Sequence, residues 1–208
     1  SGIEEIIYIL GDEAYFDSSV VDSLALISKK YNAKTKIYRQ LDKLGTGHAI
    51  MCAEESLSGP AIIAYADTMI QGKIEIDLKV DGMIWVKKVE NPSSYGVVNL
   101  DKESNIKELI EKPKDFISDL AVVGIYYFKE SSLLRDELKL HLKEKLEPGK
   151  EYLLNYGIEK MIENNKIFKP QEIVTWMDCG TPQLLLESAK IIIAEGCHNP
   201  SMFQSLEV

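Results

Sequence analysis

Residues 61–67 read Ala61-Ile62-Ile63-Ala64-Tyr65-Ala66-Asp67, an apolar run closed by a carboxylate. Lacking polar alternation, Ala61–Tyr65 predicts a strand buried on both faces, as in the middle of a parallel sheet. Upstream, Ile3–Leu10 predicts a short apolar strand closed by Gly11-Asp12. Asp17 or Ser18 then caps a helix whose apolar residues Val20, Val21, Leu24, Ala25 and Ile27 follow helical spacing. Lys34–Gln40 predicts a second strand, and the turn 41–47 leads into a helix from His48 to Leu57, broken by Gly59-Pro60. Strand, helix, strand, helix, strand is the order of a doubly wound α/β fold with a mixed, mainly parallel sheet flanked by helices.

Downstream of residue 70 the pattern changes. Gly82–Val89, Tyr95–Leu100, Ile106–Glu111 and Val122–Phe128 predict strands, separated by the turn signals 91–94 and 101–105. This section reads as an antiparallel or mixed extension of the sheet. Helical patterns return at Ser131–Leu146 and Leu153–Asn164. A last strand, Ile173–Trp176, precedes a helix opened by Pro182 and ended near Gly196. With no internal repeat or linker, residues 1–194 are expected to form one core, followed by a tail, 195–208.

The chain has 208 residues and a formal charge of −9 from 24 basic and 33 acidic side chains. That balance argues against broad binding of nucleic acid or an anionic membrane, so any phosphate must be met in a local pocket. No apolar stretch has the length of a membrane span, and the first ten residues lack the features of a secretory signal. Three scattered cysteines, Cys52, Cys179 and Cys197, read as reduced thiols of a cytoplasmic protein.

Several residues have the chemistry of a site. Asp67 follows the strand at 61–65, where an open parallel sheet places its ligand crevice, and Asp178 follows another predicted strand. Two such carboxylates suit one divalent cation with a substrate phosphate; the plainer alternative for each is a helix or turn cap, as for Asp12. Glu111-Lys112-Pro113 ends a strand at a proline, so both charges are presented together, a lysine for a phosphate and a carboxylate for sugar hydroxyls. A solvated turn is the competing reading. Gln40 with the glycine-bearing turn Gly45-Thr46-Gly47 offers an amide and a backbone group for a pyrimidine edge, or else an ordinary loop. His48 reads as a structural hydrogen-bonder and Trp176 as packing. No dinucleotide fingerprint or G-x4-G-K-[ST] loop occurs.

The order of these signals is more specific than any one of them. Gln40…Leu44-Gly45-Thr46-Gly47-His48-Ala49, Ala66-Asp67, Tyr95-Gly96-Val97-Val98, Glu111-Lys112-Pro113, Leu120-Ala121-Val122-Val123-Gly124-Ile125-Tyr126 and Trp176-Met177-Asp178-Cys179-Gly180-Thr181-Pro182 occur in series. The series resembles the sugar-1-phosphate nucleotidylyltransferases, the family of glucose-1-phosphate thymidylyl- and uridylyltransferases, over residues 1–194.

The resemblance implies a Rossmann-like fold and a reaction in which a nucleoside triphosphate (NTP) and a sugar 1-phosphate give a nucleoside-diphosphate sugar (NDP-sugar) and pyrophosphate. It makes Asp67 and Asp178 the Mg2+ carboxylates, Lys112 the holder of the sugar phosphate and Glu111 the reader of sugar hydroxyls. Gly96 becomes the point of backbone approach to the sugar, Val122 and Tyr126 the pocket wall, and Gln40 with Gly45 the base-reading pair. The implied substrates are dTTP or UTP and, by default, glucose 1-phosphate, with a second copy of the chain left open as a partner.

Two departures from the family pattern stand out. Ala66-Asp67 replaces the usual Gly-Asp, and no strand with a G-x-G-[ST]-R-x-x-P loop or downstream Pro-Lys occurs in the 208 residues. The expectation is therefore a fragment, with negligible turnover by this polypeptide alone and a missing strand between Ile3–Leu10 and Ala61–Tyr65. The alternatives are a non-catalytic homologue that binds nucleotide-sugar as a regulator or scaffold, and an unrelated doubly wound domain.

Overall fold

In the computed structural model the described residues are 2–72 and 74–194. The predicted tail, Cys197 and the end of the last helix near Gly196 lie outside them. The described residues fall into two compact units, one within 1–59 and 130–163, the other within 60–129 and 164–194.

The first unit opens with β1 (Glu5–Leu10), α1 (Ser18–Lys30) and β2 (Lys34–Arg39). The two strands pair in parallel, with Tyr8 opposite Ile37. Asp17 starts α1 by accepting hydrogen bonds from the amides of Ser19 (2.9 Å) and Val20 (3.3 Å), and Lys29 and Lys30 occupy its last turn, the sign favoured there by the helix dipole. Three more helices complete the unit: α2 (Thr46–Met51), α3 (Ser131–His141) and α4 (Leu154–Glu163). Leu134, Leu138, Leu154 and Ile158 are its buried centre. Each such side chain contributes roughly 1.5–3 kcal/mol relative to exposure. Glu130 ties the return of the chain to its departure, accepting from the amides of Gly59 (2.9 Å) and Ser132 (3.1 Å).

The second unit is built on strands β3 (Ala61–Ala64), β4 (Thr68–Gln71), β5 (Gly82–Lys88), β6 (Gly96–Leu100), β7 (Ile106–Glu111), β8 (Leu120–Phe128), β9 (Phe168–Glu172) and β10 (Thr175–Asp178), with helix α5 (Pro182–Ala194). Its main sheet runs β7-β6-β8-β5-β9, with β3 also on β8, and β4 pairs separately with β10. Strands β5 and β9 are parallel, and the ladders around β8 are antiparallel, the expected extension. The fold class is thus mixed α/β, with helices and both kinds of ladder. Among the described residues no helix is long and apolar enough to cross a membrane.

Two details depart from the sequence reading. The strand at 61–64 pairs antiparallel with β8, and its exposure alternates, Ile62 and Ala64 facing outward. With that alternation it is not buried on both faces. Strands β4 and β9 escape the sequence reading altogether; β9 tolerates Pro170 because it lies at the sheet edge, where a missing amide donor costs little.

Candidate active site

The short ladder of β4 with β10 determines the site's geometry. It sets Asp178 opposite Thr68, the residue after Asp67, and the Cys179 amide donates to the Asp67 carbonyl at 2.8 Å. Both carboxylates then converge on Gly180: a methyl group built there would lie 3.1 Å from Asp67 Oδ2 and 3.2 Å from Asp178 Oδ1. Asp178 is further held by the Gly180 amide, which donates to its Oδ1 at 2.8 Å, and its carbonyl accepts from Ser188 on α5 at 3.0 Å. The two aspartates singled out in the sequence therefore share one small volume.

A strained segment of β8 supports this turn. Gly124 has φ +90°, a conformation that favours glycine, at an irregularity where the register of β5 on β8 shifts between Ile84 and Val86. Its carbonyl accepts from the Tyr65 amide (3.0 Å), and the Val123 carbonyl accepts from the Thr68 hydroxyl (2.9 Å). Those two bonds bracket Asp67. The Tyr65 ring packs against that of Tyr126, centroids 5.7 Å apart, and burial drives the Tyr126 phenol well above its ordinary pKa, with Tyr65 adding to the shift.

Glu111, at the end of β7, lies opposite Gly96 on β6. Lys112 follows in a left-handed backbone conformation, φ +44°, its amide donating to the Tyr95 carbonyl at 3.1 Å and its ammonium 3.8 Å from Glu111 Oε1. Both side chains are exposed, and strain of this kind concentrates at functional sites. The Tyr95 ring meets Trp176 edge-on at 4.9 Å. Burial first, then the charges of Asp178 and Glu187, raise the Tyr95 phenol pKa. Tyr95 thus contacts the Lys112 backbone and the strand bearing Asp178. Val122, half-buried, sits on β8 opposite Val86, and Tyr126 is fully buried.

In the first unit, Gln40 and Gly45 are also brought together. Gln40 Nε2 donates to the Gly45 carbonyl at 3.0 Å and lies 3.1 Å from His48 Nδ1, which gives His48 the structural bond expected of it.

The sequence reading missed Tyr65, Thr68, Gly124 and Gly180, which shape the site through backbone geometry. Gly124 and Gly180 stood inside quoted motifs, Leu120–Tyr126 and Trp176–Pro182, but neither was singled out for a role. Among the described residues no group of three or more His, Cys, Asp or Glu side chains forms a closed metal site. The Asp67–Asp178 pair instead fits a hard cation held by two carboxylates and completed by substrate oxygens.

Comparisons with known proteins show the family and the fold. The chain is 31% identical over 184 residues to the bifunctional protein GlmU of Methanocaldococcus jannaschii, covering 84% of this chain and 44% of that protein. It spans less than half the length of that relative. Its fold is similar to that of a nucleoside-diphosphate-sugar pyrophosphorylase from Vibrio cholerae (TM-score 0.74, 14% identity, 88% of this chain and 80% of that one). A UDP-glucose pyrophosphorylase complexed with UDP-glucose gives a TM-score of 0.70 at 22% identity, covering 93% of this chain and 82% of that one. The family model described as nucleotidyl transferase matches residues 1–195, which takes in both aspartates, the Glu111–Lys112 pair and the Gln40 loop, and the chain belongs to that family.

Proposed function

We propose that residues 1–194 are the core of a sugar-1-phosphate nucleotidylyltransferase, which joins an NTP and a sugar 1-phosphate to give an NDP-sugar and pyrophosphate. The observation that carries this reading is the convergence of Asp67 and Asp178 beside Gly180. Mg2+ bound there would supply charge neutralisation and alignment at the reacting phosphates. Asp67 and Asp178 hold that position, with the Gly180 amide orienting the second carboxylate.

Lys112 meets the anionic sugar phosphate and lowers its repulsion with the triphosphate, and Glu111 accepts from sugar hydroxyls across from the Gly96 backbone. Val122 and Tyr126 wall the pocket. A sugar phosphate oxygen attacks the α-phosphorus in line, the bond to the pyrophosphate group breaks, and no protein nucleophile takes part. Gln40 and Gly45 read the base. Their mutual bond fixes the carboxamide plane and leaves the Gln40 oxygen as an acceptor for the N3–H of uracil or thymine, which favours UTP or dTTP. The sugar substrate in this reaction is glucose 1-phosphate. The free thiols of Cys52 and Cys179 suit a reducing, cytoplasmic setting.

The test is calorimetric titration with glucose 1-phosphate, UDP-glucose and dTDP-glucose, with and without Mg2+, alongside a pyrophosphate-release assay. Metal-dependent binding of an NDP-sugar is expected, with glucose 1-phosphate affinity weakened about tenfold by Lys112→Met. Turnover by the 208 residues alone is expected to be negligible, because none of their 13 glycines lies in a G-x-G-[ST]-R loop. Absence of any NDP-sugar or sugar-phosphate binding would end the proposal.

A further inference from the structure

The turn that carries Gly45 is shaped by a segment far along the chain. The Gly47 amide donates to the Tyr152 carbonyl at 2.7 Å, and the Tyr152 amide donates to the Leu44 carbonyl at 2.8 Å. The Leu154 amide donates to the Thr46 hydroxyl at 3.0 Å. The approach is close: a methyl group at Gly45 would lie 2.6 Å from the Tyr152 carbonyl oxygen, and one at Gly47 would lie 2.9 Å from it. Both glycines are therefore required by backbone meeting backbone, and Gly45 also has φ +108°.

Tyr152 lies outside any regular element, two residues before α4, so its own position needs support. Its hydroxyl donates to the Glu144 carbonyl at 2.8 Å, and its ring meets His141 edge-on at 5.1 Å. His141, at the end of α3, is only 6% exposed. It stacks flat on Tyr156 of α4, centroids 3.7 Å apart and planes at 8°. His141 Nδ1 lies 3.2 Å from Glu144 Oε2, and the Tyr156 hydroxyl donates to Glu144 Oε1 at 2.9 Å. One buried imidazole thus joins the end of α3, the Tyr152 segment and α4.

We infer that His141 is a positioning residue for nucleotide selection, acting through Tyr152 on the Gly45–Gly47 turn. The inference rests on the proposal that Gln40 and Gly45 read the base. Gln40 Nε2 is bonded to the Gly45 carbonyl, so the orientation of its amide follows the turn. If Tyr152 is displaced, Gly47 loses its acceptor, the Gly45 carbonyl shifts with the turn, and the Gln40 amide keeps only His48 to orient it. A recognition group held loosely loses discrimination before it loses all affinity.

The test pairs hydrogen exchange with nucleotide titration on the full 208-residue chain. In His141→Ala, exchange of the Gly47 amide, measured against the Ile158 amide of α4 in the same sample, is expected to accelerate at least about tenfold. UTP affinity should fall about fivefold and the UTP/CTP preference shrink toward unity, while glucose 1-phosphate affinity is unchanged. Tyr152→Phe, which keeps the ring and loses only the bond to Glu144, should show the same changes at about a third of the size, and it decides the matter if His141→Ala fails to fold. Gly47 exchange that tracks Ile158 in the foldable variants, or an unaltered UTP/CTP ratio alongside faster Gly47 exchange, overturns the inference. A wild-type chain with no preference between UTP and CTP would instead remove the base-reading role of Gln40 and Gly45, and Gly47 exchange would still report on the brace.

Discussion

The carboxylates of Asp67 and Asp178 meet over the α-carbon of Gly180, their nearest oxygens 3.1 and 3.2 Å from where its first side-chain carbon would stand. Residues more than a hundred positions apart are brought there by four residue pairs of the β4–β10 ladder. A hard cation takes several oxygen ligands, and removing one carboxylate of the pair takes away both charge and a ligand, so either one alone should be a poor site. Asp67→Asn and Asp178→Asn are each expected to weaken Mn2+ binding, followed by electron paramagnetic resonance, by about tenfold or more. Wild-type affinity in one variant would remove that residue from the metal position.

Gly180→Ala tests the same geometry without touching a charge. The added methyl group crowds both carboxylates at distances tighter than ordinary van der Waals contact. Metal affinity should fall while the urea unfolding midpoint changes little, because Gly180 is exposed. A variant with intact metal binding would show that the pair can open to admit the methyl group.

Gly124→Ala should cost stability as well. Here φ is +90°, and the new carbon would lie 2.9 Å from the Tyr65 ring. A cost of about 1–3 kcal/mol in unfolding free energy is expected, measured by urea denaturation, together with weaker metal binding because the bonds flanking Asp67 shift. Full stability would mean that the β8 irregularity relaxes freely.

The Glu144 clasp should respond to acid. The Tyr156 hydroxyl, and after it His141, hold the Glu144 carboxyl below its ordinary pKa of 4.5. A carboxylate with a depressed folded-state pKa contributes its full stabilisation above the unfolded value and loses it as pH falls through the folded one. The urea midpoint should therefore begin to decline below about pH 4.5, and Tyr156→Phe should decline less steeply over that range. Parallel curves for the two proteins would remove this bond from the pH response.

Much of the fold was legible in the sequence because most of its strands carry their own apolar pattern. Gly82–Lys88 and Leu120–Phe128 are buried along nearly their whole length, and proline or turn residues mark several ends. Strand β4 was not legible. Its four residues, Thr68-Met69-Ile70-Gln71, have no distinctive pattern, and it exists as a strand through pairing with β10. Strand β9 was hidden by Pro170, which reads as a break unless the strand is known to lie at an edge. At the site, residue type pointed to Asp67, Asp178, Glu111 and Lys112, whereas the roles of Gly180 and Gly124 are properties of spatial approach. Tyr152 was missed for a similar reason: it follows the charged, loop-like stretch 143–151, and its contribution to the Gly45 turn is made by its main chain.

That arrangement has a consequence for synthesis of the protein. Thr46 waits 108 residues for Leu154, so at a translation rate of about 5–20 residues per second the nascent turn stays unbraced for roughly 5–20 s. Through that interval the ribosome displays a segment that two glycines leave free to wander. A nascent chain stalled before residue 152 therefore cannot acquire the native turn, however long it is given.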